Sequence, residues 1–326
     1  MSPSIHRLAL LAAGWLVALI AAATLGEHAI GWQEITDPAT TGHVIFWQIR
    51  LPRVLLALAA GGALAAAGLA FQTLFRNPLA EPYTLGVASG AALGAVATIQ
   101  LGTGLAAAGA LRLPAIGLGS FVGAGLVALL ILSLAARRRF DTATLLLSGI
   151  AVSLTCSALI LFLQYRADFT QSFRMVRWMM GGLAVVGYGE VLWLAPWVGA
   201  GLLVLLALRW DLNLLLTGEE VAASRGVDLS RLRWLVLASA SAMVAALVAV
   251  VGPIGFVGLI VPHVLRRWLG HDHLVLLPAC VLGGGAFLAL CDLVGRTVVA
   301  PAELPVGVVT ALLGGPFFLW LLLARR

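Results

Sequence analysis

The chain has 326 residues, of which 61% are hydrophobic and only 10% charged, with a mean hydropathy of +1.05. Soluble domains carry about 25% charged residues, so the composition excludes a soluble globular protein and describes an integral membrane protein. The formal net charge of +6 rests on arginine alone, since the sequence holds no lysine; the arginines stand singly or in short clusters between apolar runs, as topology signals do and nucleic-acid-binding surfaces do not.

Along the chain, the N-terminal stretch couples a charged start to a long apolar run, with neither a small-residue cleavage site nor a polar mature domain behind it. It reads as a first membrane span that is retained. Several apolar runs reach the roughly 20 residues that a helix needs to cross the hydrocarbon core, and none alternates as a barrel strand would. Apolar runs set against polar or Gly/Pro punctuation predict ten helical spans, at approximately 8–25, 54–75, 85–101, 116–136, 145–165, 191–208, 234–251, 254–268, 274–294 and 306–324. Glycine and alanine crowd them, most densely in "LALAAGGALAAAGLA" of the second span, and such residues let helix backbones approach closely.

An even number of spans places both termini on one side, and the positive-inside rule makes that side cytoplasmic. Thirteen arginines then face the cytoplasm, against seven outside: Arg50, Arg53, Arg112, Arg166, Arg174, Arg177 and Arg296. So weak a bias gives some of the outer arginines another task. No stretch between spans is long enough for a soluble domain, so residues 1–326 form a single transmembrane domain. Cys156, Cys280 and Cys291 lie in apolar segments without metal-ligand spacing and read as packing residues.

Three interruptions carry functional signals. "RNPLAEP" follows the second span, where Pro78 and Pro82 stop the helix and Asn77 can bond the freed backbone. "GPIGFVGLIVPH" breaks an apolar region at two Gly/Pro sites, as a short or discontinuous helix does. His263 beside Arg266 and Arg267 reads as an interfacial residue, and His271 and His273, two positions apart, fall on different helix faces and do not form a metal pair.

The third interruption is the charged insert "LTGEEVAASRGVDLSRLRW", residues 216–234. Thr217 and Glu220 have capping-box spacing, so a helix is expected from Gly218, with Glu219 and Glu220 at the positive end of its dipole. Gly226 is the expected C-cap and Asp228 the cap of a second helix leading into span seven. A first helix of about eight residues spans roughly 12 Å and is marginal alone. It is held either by its own bundle or by a soluble partner.

Without lysine the chain has no Walker A loop, so transport energy comes from another polypeptide or an ion gradient. The spans hold few of the ionisable groups that a gradient-driven secondary transporter uses for coupling. No nucleophile–base pair or acidic cluster suggests a membrane enzyme.

Five segments then carry a resemblance: "RLPRVLLALAAGGALAAAG" (50–68), "FQTLFRNPLAEPYTLGVASGAALGA" (71–95), "RWMMGG" (177–182), "GPIGFVGLIVPHVLRR" (252–267) and "AELPVGVVTALLGGPFFLWLLL" (302–323). Together they closely resemble the vitamin B12, iron-siderophore and haem permeases of type II ATP-binding-cassette (ABC) importers. The resemblance implies an all-α, ten-helix permease in the bacterial inner membrane, working as a homodimer. Its implied partners are two separate ATPase subunits, which use ATP and Mg, a periplasmic substrate-binding protein, and membrane lipid. The chain itself is expected to bind no cofactor, metal or nucleic acid.

By the same resemblance, Gly218, Glu219, Glu220, Ala222, Arg225, Gly226 and Arg231 lie in a cytoplasmic coupling helix, about 217–231, that docks on the ATPase. Arg50, Arg53 and Arg296 match positions facing acidic residues of the binding protein; contact with lipid phosphate, or an i,i+4 pair between Asp292 and Arg296, is the other reading. Asn77, Pro78 and Leu79 match one strip of the cytoplasmic gate, and Asp141 and Thr142 a second.

Overall fold

The computed structural model describes residues 3–26, 31–101, 115–137 and 142–323, and the regular structure among them is helical throughout. Helix α1 (Pro3–Thr24) is followed by two short helices, α2 (Trp32–Thr36) and α3 (Thr41–Val44). A π-helical stretch, Ile45–Arg50, then leads into α4 (Leu51–Leu74), and a 3-10 turn (Pro82–Leu85) precedes α5 (Val87–Gln100). The next elements are α6 (Ala115–Arg137), α7 (Thr142–Tyr165), α8 (Phe169–Met179) and α9 (Gly189–Ala207). The chain continues through α10 (Arg209–Leu216), α11 (Glu219–Ser224), α12 (Leu229–Val251), α13 (Val257–Leu269), α14 (His273–Thr297) and α15 (Val306–Leu323).

All ten predicted spans fall on helices. Among the described residues, seven helical runs are long and apolar enough to cross a membrane, and Val87–Gln100 and Val306–Leu321 are shorter apolar helices. The remaining one, the eighth span at α13, has only 13 residues because Gly252–Phe256 ahead of it is not helical. In that break Phe256 takes φ +69°, and the free backbone N–H of Ile254 donates to the Tyr83 hydroxyl at 3.0 Å. Irregular backbone inside a bundle is tolerable when protein groups satisfy it in this way.

The second span differs from expectation at its start. Helical backbone runs from Thr41 to Leu74 without a break. Pro52 has no N–H to give, and the wider π turn ahead of it, with Leu51 N–H on Phe46 O, carries the chain through. As a result Arg50 and Arg53 sit on a helix and not in a loop.

Helix α4 is the axis of the bundle, buried along nearly its whole length and packed by α9, α12, α13 and α14. Its small residues make this possible: a Cβ on Gly61 would collide with the backbone carbonyl of Gly284 on α14, so the two helices touch backbone to backbone. Cys156, Cys280 and Cys291 are free and buried, as their setting implies. An amphipathic helix not foreseen from the sequence, α8, lies between the fifth and sixth spans. A true capping box starts it, with Asp168 Oδ1 accepting from Gln171 N–H at 2.8 Å and Gln171 Oε1 accepting from Asp168 N–H at 3.2 Å.

Candidate functional site

The predicted site residues sort to the two ends of the α4–α14 pair, which runs antiparallel. Arg53 near the start of α4 and Thr73 near its end are about 30 Å apart at 1.5 Å per residue.

At the first end the three arginines converge. Arg53 clasps Asp292 with Nε and Nη2 at 2.9–3.0 Å and reaches Glu303 with Nη1 at 2.9 Å. Arg296, one turn beyond Asp292 on α14, donates to it at 3.0 Å and to Ala22 O at 2.8 Å, while Arg50 donates to Thr24 O at 2.8 Å. Each of the three arginines is only 8% exposed and Asp292 is 2% exposed. The expected i,i+4 pair between Asp292 and Arg296 is therefore present, and Asp292 also holds Arg53 from across the bundle. Two cavities adjoin the cluster: one of about 480 Å³ bordered by Arg53, Arg177, Gly182 and Glu303, and one of about 270 Å³ bordered by Arg50, Arg53, Arg296 and Glu303. Within the cluster and its cavities four guanidinium groups stand against two carboxylates, so the site is locally positive.

At the second end lie the gate and coupling residues. Asn77 does bond the freed backbone, its Oδ1 accepting from Leu79 N–H at 3.0 Å. Asn77 and Leu79 border a cavity of about 380 Å³ whose far wall is α7, with Leu146, Ile150 and Ser153. Asp141 of the second predicted strip lies outside the described residues, and Thr142 opens α7.

Close to Asn77, the Glu81 side chain is largely buried, and no salt bridge among the described residues engages it. Burial raises its pKa from 4.5 to about 7. A raised carboxyl pKa means that the folded state holds the proton more tightly than the unfolded chain, so stability is full below about 4.5 and falls as pH rises to about 7. Glu81→Gln removes that dependence. The melting temperature in detergent is therefore expected to drop between pH 5 and pH 7.5 for the wild type and to stay flatter for the variant, and equal slopes would contradict the assignment.

The charged insert folds as two helices, with a correction. Thr217 does not cap α11: its hydroxyl donates to Leu214 O at 2.7 Å, finishing α10, and Gly218 takes the N-cap position at φ +127° without a side-chain cap. The sequence from Arg209 is helical before the insert begins, so Thr217 is claimed by the preceding helix. Accordingly α11 has six residues, fewer than the eight expected. Arg225, not Gly226, is the C-cap of α11, and Gly226 follows it at φ +88° to end the helix, while Asp228 caps α12 through Arg231 N–H at 3.0 Å as expected.

The faces of α11 divide cleanly. Ala222 is buried in the core of its own bundle and Glu219 is tied to Arg233 at 2.7 Å, whereas Glu220, Val221, Arg225, Gly226 and Arg231 are exposed. The helix thus rests on its bundle and presents an outer face at the same time.

Four polar residues that sequence reasoning did not select complete this end. Gln72 on α4 donates to Gly258 O and accepts from Arg266, both at 2.9 Å. His273 Nε2 meets Thr73 Oγ1 at 2.8 Å, and its Nδ1 meets Asn213 Oδ1 at 2.8 Å. Only a helical pattern over 209–216 could have flagged Asn213, and nothing local flags Thr73. No group of metal-ligating side chains occurs among the described residues.

Residues 14–324 match the FecCD transport family. The chain belongs to that family. It is 42% identical over 320 residues to the vitamin B12 import system permease protein BtuC of Shigella boydii serotype 18, covering 95% of this chain and 93% of that protein. The same permease of Escherichia coli (strain K12 / DH10B) is 42% identical over 316 residues, covering 94% of this chain and 92% of the relative. Among solved structures, a metal-chelate type ABC transporter in an inward-facing conformation superposes with a TM-score of 0.85 at 32% identity, covering 99% of this chain and 100% of that one. FecCD membership, this fold and the apolar spans make the chain a multi-pass membrane permease of the ABC importer type, with ATP hydrolysis assigned to a separate subunit.

Proposed function

We propose that this chain is the permease of an importer that moves a large metal chelate, cobalamin or otherwise a ferric siderophore or haem, across the bacterial inner membrane. The observation that carries this reading is the full-length similarity to vitamin B12 import permeases. Two copies form the pathway at their interface. Both termini are cytoplasmic, two ATPase subunits dock on the α11 helices, and a periplasmic binding protein delivers the chelate. ATP binding moves α11, which tilts the bundle and switches the gates at Asn77, Pro78 and Leu79 and at Asp141 and Thr142.

Two features of the geometry support the division of labour. The outward face of α11, with Glu220 and Arg225, offers charge and hydrogen-bonding groups beside an exposed Val221, while Ala222 fixes the helix to the bundle. At the other end the buried cluster holds Arg50, Arg53 and Arg296 in fixed register beside the positive cavities, as recognition of an acidic partner requires. Asp292 is held by two guanidinium groups as the centre of this cluster.

Glu220→Arg reverses charge on the exposed face without touching the Glu219–Arg233 pair. Co-purification with the ATPase is expected to fall at least tenfold while the permease dimer stays intact, as truncation of an interface anchor worth about 1.4 kcal/mol or more would produce. Undiminished ATPase recovery would remove α11 from the interface.

A further inference from the structure

We propose that Asn213, His273 and Thr73 form the hook by which the coupling arm is fastened to a rigid α4–α14 strut, making them positioning residues for transmission across the membrane. The proposal rests on the importer reading.

The strut is locked to itself at both ends and in the middle. At one end Arg53 of α4 clasps Asp292 of α14. Near the middle Gly61 and Gly284 bring the two backbones into contact. At the other end Thr73 Oγ1 of α4 meets His273 Nε2 of α14 at 2.8 Å in a buried contact. Two helices joined at points about 30 Å apart cannot slide or splay without breaking a buried polar pair, so they move as one body.

Buried Leu212 and Leu215 pack the coupling arm against the bundle and Arg76 donates to Leu215 O at 3.5 Å, while its polar link to the start of α14 runs through Asn213. Asn213 lies on α10, five residues before Gly218 and directly ahead of α11. Its Oδ1 accepts from the backbone N–H of His273 and contacts ring Nδ1, both at 2.8 Å, and its Nδ2 donates to Asp272 Oδ1 at 2.7 Å. Asp272 in turn caps α14 through Leu274 N–H at 2.9 Å. The donors add up: Nδ1–H goes to Asn213, and Nε2 then accepts the single hydrogen of the Thr73 hydroxyl, which otherwise goes to Leu69 O at 3.0 Å. One amide therefore grips the first turn of α14 by a ring, a backbone N–H and a cap, and the ring passes the contact on to α4. A displacement of α11 pulls on the N-terminus of α14 and, through the strut, on the arginine cluster at the far end.

The test uses the whole complex: permease dimer, ATPase and cyanocobalamin-loaded binding protein in lipid nanodiscs. ATP hydrolysis is read with and without the loaded binding protein. Asn213→Leu and Thr73→Val are expected to assemble and to keep basal hydrolysis, while stimulation by the binding protein falls roughly tenfold, the range of a typical coupling energy. Thr73→Ser, which retains the hydroxyl, is expected to keep stimulation; an unchanged melting temperature and basal hydrolysis in Thr73→Val separate lost transmission from a merely structural loss. If Asn213→Leu fails to assemble, Thr73→Val, which preserves shape, decides. Stimulation within about twofold of wild type in assembled Thr73→Val or Asn213→Leu complexes would overturn the hook. A wild-type complex that assembles and hydrolyses ATP, yet gives no stimulation in nanodiscs and no uptake into sealed proteoliposomes with cobalamin, a ferric siderophore or haem, would overturn the importer reading instead.

Discussion

Replacing Asp292 by alanine is expected to cost about 3–5 kcal/mol of stability, the range for removing one partner of a buried ion pair. The carboxylate receives three short N–H contacts from Arg53 and one from Arg296, and it is 2% exposed. Its loss leaves two largely buried guanidinium groups without their shared carboxylate, and among the described residues the half-exposed Glu303 forms a salt bridge with Arg53 alone. Thermal unfolding of the purified protein in detergent measures the effect. Replacing Glu303 by glutamine, at the rim of the same cluster, is expected to cost under about 1 kcal/mol, as exposed pairs do. Equal losses at the two positions would show that the cluster is not organised around Asp292. Because Asp292 ties Arg53 to Arg296, Asp292→Ala is also expected, under the proposed docking at this cluster, to weaken binding-protein recognition in whatever fraction still folds.

The second large effect is expected at Gly61. A Cβ there meets the carbonyl carbon and oxygen of Gly284 and the Leu288 side chain. Two of those three atoms are backbone, so relief requires α4 and α14 to separate. Gly61→Val is expected to lose more than about 4 kcal/mol, the tail reserved for core disruption, and to give aggregated protein on extraction. Gly14 on α1 is the matched control: nothing lies within 4 Å of the position its Cβ would take. There Gly14→Ala is expected to be neutral or to stabilise by up to about 1 kcal/mol through helix propensity. Size-exclusion profiles and melting curves of the two variants make the comparison, and a monodisperse Gly61→Val protein of normal stability would contradict the close approach of α4 and α14.

What the sequence revealed and what it hid follow from the range of the interactions. Spans were legible because hydropathy is a local sum, and Asp228 was legible because its bond to Arg231 closes within three residues. Thr217 was misread because two helices compete for it, and the α10 helix that wins was not among the expected elements. The start of the second span was misplaced because Pro52 signals a helix beginning, whereas a π turn lets the helix pass through it. The burial of Arg53 was out of reach, since its partner Asp292 stands 239 positions away. The same holds for the inner end: Thr73, Asn213 and His273 are unremarkable in their own neighbourhoods and become a unit only when α4, α10 and α14 meet. The exposed and buried faces of α11 were likewise invisible locally, because six residues carry too little periodicity to assign them.

The physical picture is a bundle whose central helix pair is stiff and polar-locked at both ends, with a short arm hooked to one end and an arginine cluster built into the other. Small residues bring the pair into close contact, buried ions and amides fix its register, and one face of α11 stays exposed, the face on which the proposed function docks the ATPase.

The most direct test is uptake of radiolabelled cobalamin into proteoliposomes holding the permease with its ATPase, supplied with loaded binding protein on one side and ATP on the other. The account predicts uptake that requires both ATP and the binding protein and is unaffected by collapsing the proton gradient. Uptake driven by an imposed gradient in the absence of ATP would contradict it.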